Sequence, residues 1–139
     1  MAVVKLAYGA ATALTVTGLA TLASATGATS AAIVQTTDLA LDNLVEIAVT
    51  VGTVVAPSTV AVYAVSSVDG TNFGDVTNSP LIGVLSAPTS ATAYRKTMSV
   101  AQAFGGNLPP AYEIYVVNST GAALTAGTAQ YREITATVV

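Results

Sequence analysis

Residues 39–51 constrain the fold more than any other part of the chain. Leu39, Leu41, Asn43, Val45, Ile47, Val49 and Val51 fall at every second position, with Asp42, Glu46, Ala48 and Thr50 among the residues between them. Side chains alternate across a strand, so period two over this length predicts a strand with one face buried. Residues 59–66 form a second run, with apolar residues on both sides, as expected of a strand covered on both faces. Residues 81–85, 93–100, 112–118 and 129–138 follow as further strands, separated by clusters of Gly, Pro, Ser and Asn. Only residues 100–104 suit a helical turn, stopped by Gly105-Gly106 and Pro109-Pro110.

The N-terminal stretch, residues 1–25, imitates a secretory signal, but Thr12, Thr15, Thr17, Gly18 and Thr21 break its apolar run. It is also too weakly apolar to span a membrane, which takes about 20 predominantly apolar residues. It reads instead as an extended arm leading into a strand, with Leu14, Val16 and Gly18 on one side and Thr15, Thr17 and Leu19 on the other. Seven or eight strands with no intervening helices predict an all-β fold, an antiparallel β-sandwich or jelly roll with an extended N-terminal arm. The expected organisation is a single domain, with the arm and first strand in residues 1–36 and the sandwich in residues 37–139.

Composition narrows the chemistry. The 139 residues include no His, no Cys and no Trp, and only 8% are charged, against about 25% in an average soluble domain. No disulfide framework or thiolate metal site can form. Four cations against seven anions give a net charge of −3, and Lys5, Arg95, Lys96 and Arg132 form no run longer than two. Nucleic-acid binding, which needs clustered Lys and Arg, is disfavoured. A surface this neutral is prone to associate, and much of it is expected to be covered by other subunits.

Residues with reactive potential read better as structure. Asp38, Asp42 and Glu46 resemble a carboxylate cluster, yet Asp42 and Glu46 would stand about 13 Å apart along a strand, too far to work as a pair. Asp69, Asn72 and Asp75 lie in a polar loop, residues 69–80, without the ligand pattern of a defined calcium loop. Lys5 and Lys96 are the only amines that could serve a Ser or Thr nucleophile, and nothing places a serine beside either. Lys96 and Tyr94 share one strand face while Arg95 takes the other. Asn118-Ser119-Thr120 matches a glycosylation sequon, but Gly121 makes a hairpin turn the simpler reading. Tyr112, Tyr115 and Tyr131 suit half-buried packing with the hydroxyl bonded. No catalytic residue, metal or cofactor is expected.

Several segments in order resemble small virion proteins of tailed bacteriophages that decorate or cement the capsid. They are LTVTGLATLAS at 14–24, LALDNLV at 39–45, Val62-Tyr63 leading to Asp69-Gly70, SVAQAFGGNLPP at 99–110 and VNSTGAAL at 117–124. The resemblance implies a jelly-roll subunit on the virion exterior. Such a subunit would bind the major capsid protein, associate with itself as a dimer or trimer, touch neither nucleic acid nor membrane directly, and bridge capsomers without covalent bonds. Expected contacts are Leu6 and Tyr8 in the arm, Phe73 in the long loop, and Tyr94, Arg95 and Lys96. Two other readings make different demands. A receptor- or carbohydrate-binding module of a tail or secreted adhesin would gather Phe73, Asn72, Asn78 and Asn107 at one loop end, and a tail-completion component would form a ring at a single vertex.

Overall fold

A computed structural model describes residues 3–36 and 40–139. The predicted Leu39 and Asp38 fall outside the described residues. The described residues form ten strands: β1 (Val4–Tyr8), β2 (Thr12–Leu14), β3 (Thr26–Thr29), β4 (Ile33–Val34), β5 (Ala40–Thr50), β6 (Thr59–Ser67), β7 (Leu81–Ser86), β8 (Ala93–Ser99), β9 (Ala111–Ser119) and β10 (Ala126–Val138). One helical turn, α1 (Val100–Ala103), sits where the sequence placed it.

All pairings are antiparallel and divide into two sheets. The first runs β1–β10–β5–β8, with β2 alongside the other half of β10; the second runs β3–β9–β6–β7, with β4 continuing β3 along β9. From β2 onward the chain crosses between the sheets at nearly every connection, staying within one only from β3 to β4 and from β6 to β7. With β3 and β4 taken as one broken strand, this is the eight-strand order of a jelly roll, with β1 added.

The alternation that predicted β5 places Asn43, Val45, Ile47 and Val49 inward, all at most 2% exposed. They meet Val60, Val62 and Ala64 of β6 and Tyr112, Ile114 and Val116 of β9, which are wholly buried. Small side chains contribute little area each, so the core extends the full length of the sandwich. One face of β6 is fully covered; on the other, Val65 and Ser67 are buried while Ala61 and Tyr63 are half-buried, so the two-sided burial expected there holds toward the end of the strand.

The N-terminal segment differs most from expectation. Its first part is extended, but it is paired with β10 along its length, Val4 opposite Val138 through Tyr8 opposite Ile134. The strand expected at 14–19 stops after Leu14. Gly18, with φ 81°, turns the chain into a 3-10 turn, Leu19–Thr21, that drives Leu19 into the core. Gly127 of β10 makes room for it: a Cβ there would stand 2.7 Å from the Leu19 Cγ. Residues 26–34 then form β3 and β4, strands too short and too rich in Gly, Ala and Thr to announce themselves.

Candidate interaction surface

Several polar side chains are engaged in holding the fold. Asp42 receives the Ser99 hydroxyl at 2.5 Å and the Ala101 N–H at 2.8 Å, and Ser99 in turn accepts from Gln102, so the pair caps α1. Glu46 accepts from the Gln130 amide at 2.8 Å and faces the Arg95 guanidinium at 3.3 Å on the outer face of the first sheet. Asp69 organises its loop: Oδ1 accepts from the N–H groups of Thr71 and Asn72 and from the Ser67 hydroxyl, and Oδ2 accepts from the Asn72 amide. These donors, led by Asn72, hold the Asp69 carboxyl well below the usual carboxylate range. Both oxygens thus serve the loop's own donors. Among the described residues no three His, Cys, Asp or Glu side chains gather as a metal cluster.

Two buried polar groups tie the fold together. Asn118 is fully buried; its Nδ2 donates to the Leu22 and Ala122 carbonyls, both at 2.8 Å, and its Oδ1 accepts from the Thr120 N–H and hydroxyl. The apparent sequon is therefore a turn-locking amide with no free nitrogen. Across the sandwich, Asn43 of β5 donates to the Tyr112 hydroxyl of β9 at 2.6 Å. Burial pushes the Tyr112 hydroxyl well above its ordinary pKa, outweighing the opposing Asn43 bond.

What the fold leaves outside is more informative. Of the twelve exposed large apolar residues among those described, Val3, Val4, Leu6, Tyr8, Val138 and Val139 lie on the β1–β10 ribbon. Directly opposed residues of an antiparallel pair point to the same face. Val4, Leu6 and Tyr8 therefore line up with Val138, Ala136 and Ile134 as one apolar strip. Leu6 and Tyr8 are 56% and 59% exposed. The sequence singled out these two; it missed Val4 and Val138, because the strip exists only once the two ends of the chain pair.

The other expected contacts do not join this strip. Arg95 is exposed on the outer face beside Glu46. Tyr94 and Lys96 share the opposite face, as alternation required: Tyr94 bonds the Thr89 backbone, and Lys96 reaches over the seam between the sheets to the Val84 carbonyl at 3.1 Å. Phe73 is half-buried in the 69–80 loop. An open groove of about 590 Å3 between that loop and α1 is lined by Asn78 and Phe104, among others, but not by Asn72, Phe73 or Asn107.

No family model and no curated protein matches the chain. Solved structures do. A chain in the structure of infectious bursal disease virus, Gx strain, is 8% identical with a TM-score of 0.50, over 97% of this protein and 32% of the viral chain. This protein thus spans about a third of that relative. The C-terminal CBM6 domain of LamC, a laminarinase from Zobellia galactanivorans, is 12% identical with a TM-score of 0.39, covering 94% and 99% of the two chains. The K3 adhesin domain of Lys-gingipain from Porphyromonas gingivalis is 16% identical with a TM-score of 0.35, covering 78% and 63%. At these identities the viral likeness speaks for the fold alone: a β-sandwich of the kind built into that virus.

Proposed function

We propose that this protein is a structural virion component that binds the outside of a phage capsid and cements neighbouring capsomers by noncovalent bridging. The observation that carries the reading is the apolar strip that the sandwich leaves uncovered on the β1–β10 ribbon. Apolar area of this kind stabilises a joint in proportion to what is hidden, at about 25 cal/mol per Å2. A shell strained by packaged DNA is strengthened when a bridging subunit adds buried area between capsomers. The low charge suits a surface that other subunits cover. The viral likeness in fold and the sequence resemblance to decoration proteins agree with this reading. It assigns no catalytic step to any residue, and makes the major capsid protein the partner.

The test is co-sedimentation with undecorated shells of the encoding phage. The wild type is expected to saturate them and raise their heat resistance, and the Leu6→Asp, Tyr8→Asp double variant is expected to stay in the supernatant. Full occupancy by the double variant would overturn the strip as the contact.

A second reading, a receptor- or glycan-binding module, keeps only the groove holding Asn78 and Phe104, since Asn72, Phe73 and Asn107 do not line it. Binding on a glycan array that is lost in Asn78→Ala, together with indifference to shells, would establish it in place of the first.

A further inference from the structure

The geometry points to β1 as a self-pairing edge: two copies of this chain join through antiparallel β1 strands about a two-fold axis at Leu6. The backbone supplies the first argument. Val3 and Val139 exchange both of their hydrogen bonds, at 3.1 and 2.8 Å, and the Gly9 N–H reaches the Glu133 carbonyl at 2.8 Å. Hydrogen-bonded and non-bonded pairs alternate along an antiparallel ladder, so Lys5 and Ala7 also face β10, and the N–H and C=O groups of Val4, Leu6 and Tyr8 point away from it. None of the described residues pairs with them. These are the residues whose side chains form the apolar strip, so one segment offers both a row of unmet backbone groups and an apolar face.

The other edge strands lie beside the opposite sheet and are bridged to it at points. On the β2 side, Val16 bridges to Ser30 and the Ala31 N–H reaches the Thr15 carbonyl at 2.8 Å, tying the two sheets together. On the other side, Lys96 spans the seam to Val84, and Gly83 makes room for Met98. Natural sheets protect a bare edge with charge, proline or a bulge. β1 carries only Lys5, whose side chain lies on the face away from the strip.

The second argument is self-complementarity. With Leu6 opposite Leu6 of the second copy, Val4 falls opposite Tyr8 and Tyr8 opposite Val4. Every free N–H and C=O of these residues finds a partner, because all three positions belong to the hydrogen-bonded set of the new ladder. Aliphatic and aromatic side chains meet across the strands, the favourable kind of cross-strand pair, and Lys5 meets Ala7, so no like charges oppose one another. The two strips then merge into one continuous apolar surface.

This inference deepens the proposed function by naming the subunit's own partner and rests on the same strip, but it needs no shell.

Because the chain contains no cysteine, a single engineered thiol gives an unambiguous report. Opposed residues of a hydrogen-bonded pair stand about 5.5 Å apart at Cα, within disulfide range. Leu6→Cys is expected to convert mostly to a disulfide-linked dimer under mild oxidation, while Val68→Cys, at an apolar site 89% exposed, stays mostly monomeric. Sedimentation equilibrium should show a wild-type dimer. Leu6→Lys, which sets two ammonium groups face to face on the axis, should raise its dissociation constant about tenfold or more, with an unchanged circular dichroism spectrum because the β10 pairing is untouched. A wild-type monomer or trimer, cross-linking no faster at residue 6 than at residue 68, or a dimer indifferent to Leu6→Lys would each overturn the proposal. These readings are taken without shells: a monomer that still coats shells refutes the pairing alone, and a dimer that ignores them refutes the capsid reading alone.

Discussion

Asn118 offers the most quantitative test of how this sandwich is held shut. In Asn118→Ala, the Thr120 N–H loses its acceptor in a fully buried site, a cost of about 1–3 kcal/mol. The carbonyls lose less, because Leu22 still accepts from the Leu124 N–H at 3.0 Å and Ala122 from the Thr120 hydroxyl at 3.0 Å. Adding the missing amide bonds and the small void gives about 3–4 kcal/mol in total. A domain this size has about 7–20 kcal/mol of stability, so the variant should still fold, with a midpoint lowered by about 10–15 °C. Asn118→Asp sharpens the argument. One oxygen still serves Thr120, but the other is forced against the Leu22 and Ala122 carbonyls, which raises the folded-state pKa above the unfolded value of about 3.9. A raised pKa means that stability is present below that value and lost as pH rises. The deficit against wild type should therefore be small near pH 3.5 and grow by about 1.4 kcal/mol per pH unit until the folded-state pKa is passed. Urea titrations at several pH values measure this directly. An Asn118→Ala deficit below about 1 kcal/mol, or an Asn118→Asp deficit that does not vary with pH, would refute the reasoning.

Three further outcomes follow from the same structure. Tyr112→Phe strands the Asn43 amide in the core and should cost about 1–3 kcal/mol, while adding Asn43→Leu should recover much of that loss, because removing both partners leaves no buried donor; a double variant worse than the sum of the singles in denaturant titration would contradict this. Asp69, with its pKa depressed by backbone and side-chain donors, supports its loop at every pH above the ordinary carboxylate range and releases it only as pH falls through its lowered value; carboxyl NMR should show no inflection for Asp69 near pH 4, and Asp69→Ala should speed amide exchange at Thr71 and Asn72. Gly127→Ala drives a methyl against Leu19, 2.7 Å from its Cγ and 3.0 Å from its carbonyl oxygen, and should cost about 1–3 kcal/mol by thermal melt, with relief in the Leu19→Ala background.

How much of this was legible in the sequence follows from whether the signal was local. β5 was readable because alternation is a property of consecutive residues, and its one anomaly, Asn43 on the apolar face, was not, because Tyr112 meets it from 69 positions away. α1 was readable from the glycines and prolines behind it. β3 and β4 were not, since Gly27 carries no pattern until the Tyr115 ring is seen lying across it. Alternation alone reads Gly18 as one more strand position, whereas its left-handed backbone turns the chain there. The candidate surface divides in the same way. Leu6 and Tyr8 stood out as large side chains in a small-residue arm, whereas Val138 acquires meaning only by pairing with Val4.

These observations describe a jelly roll that keeps its polar groups for its own turns and caps and turns an apolar ribbon outward. The central claim, that this surface exists to be hidden against a capsid, is tested most directly by copy number. Quantitative mass spectrometry of purified virions should find this chain in abundance comparable to the major capsid protein. A handful of copies per particle, or none, would contradict the account.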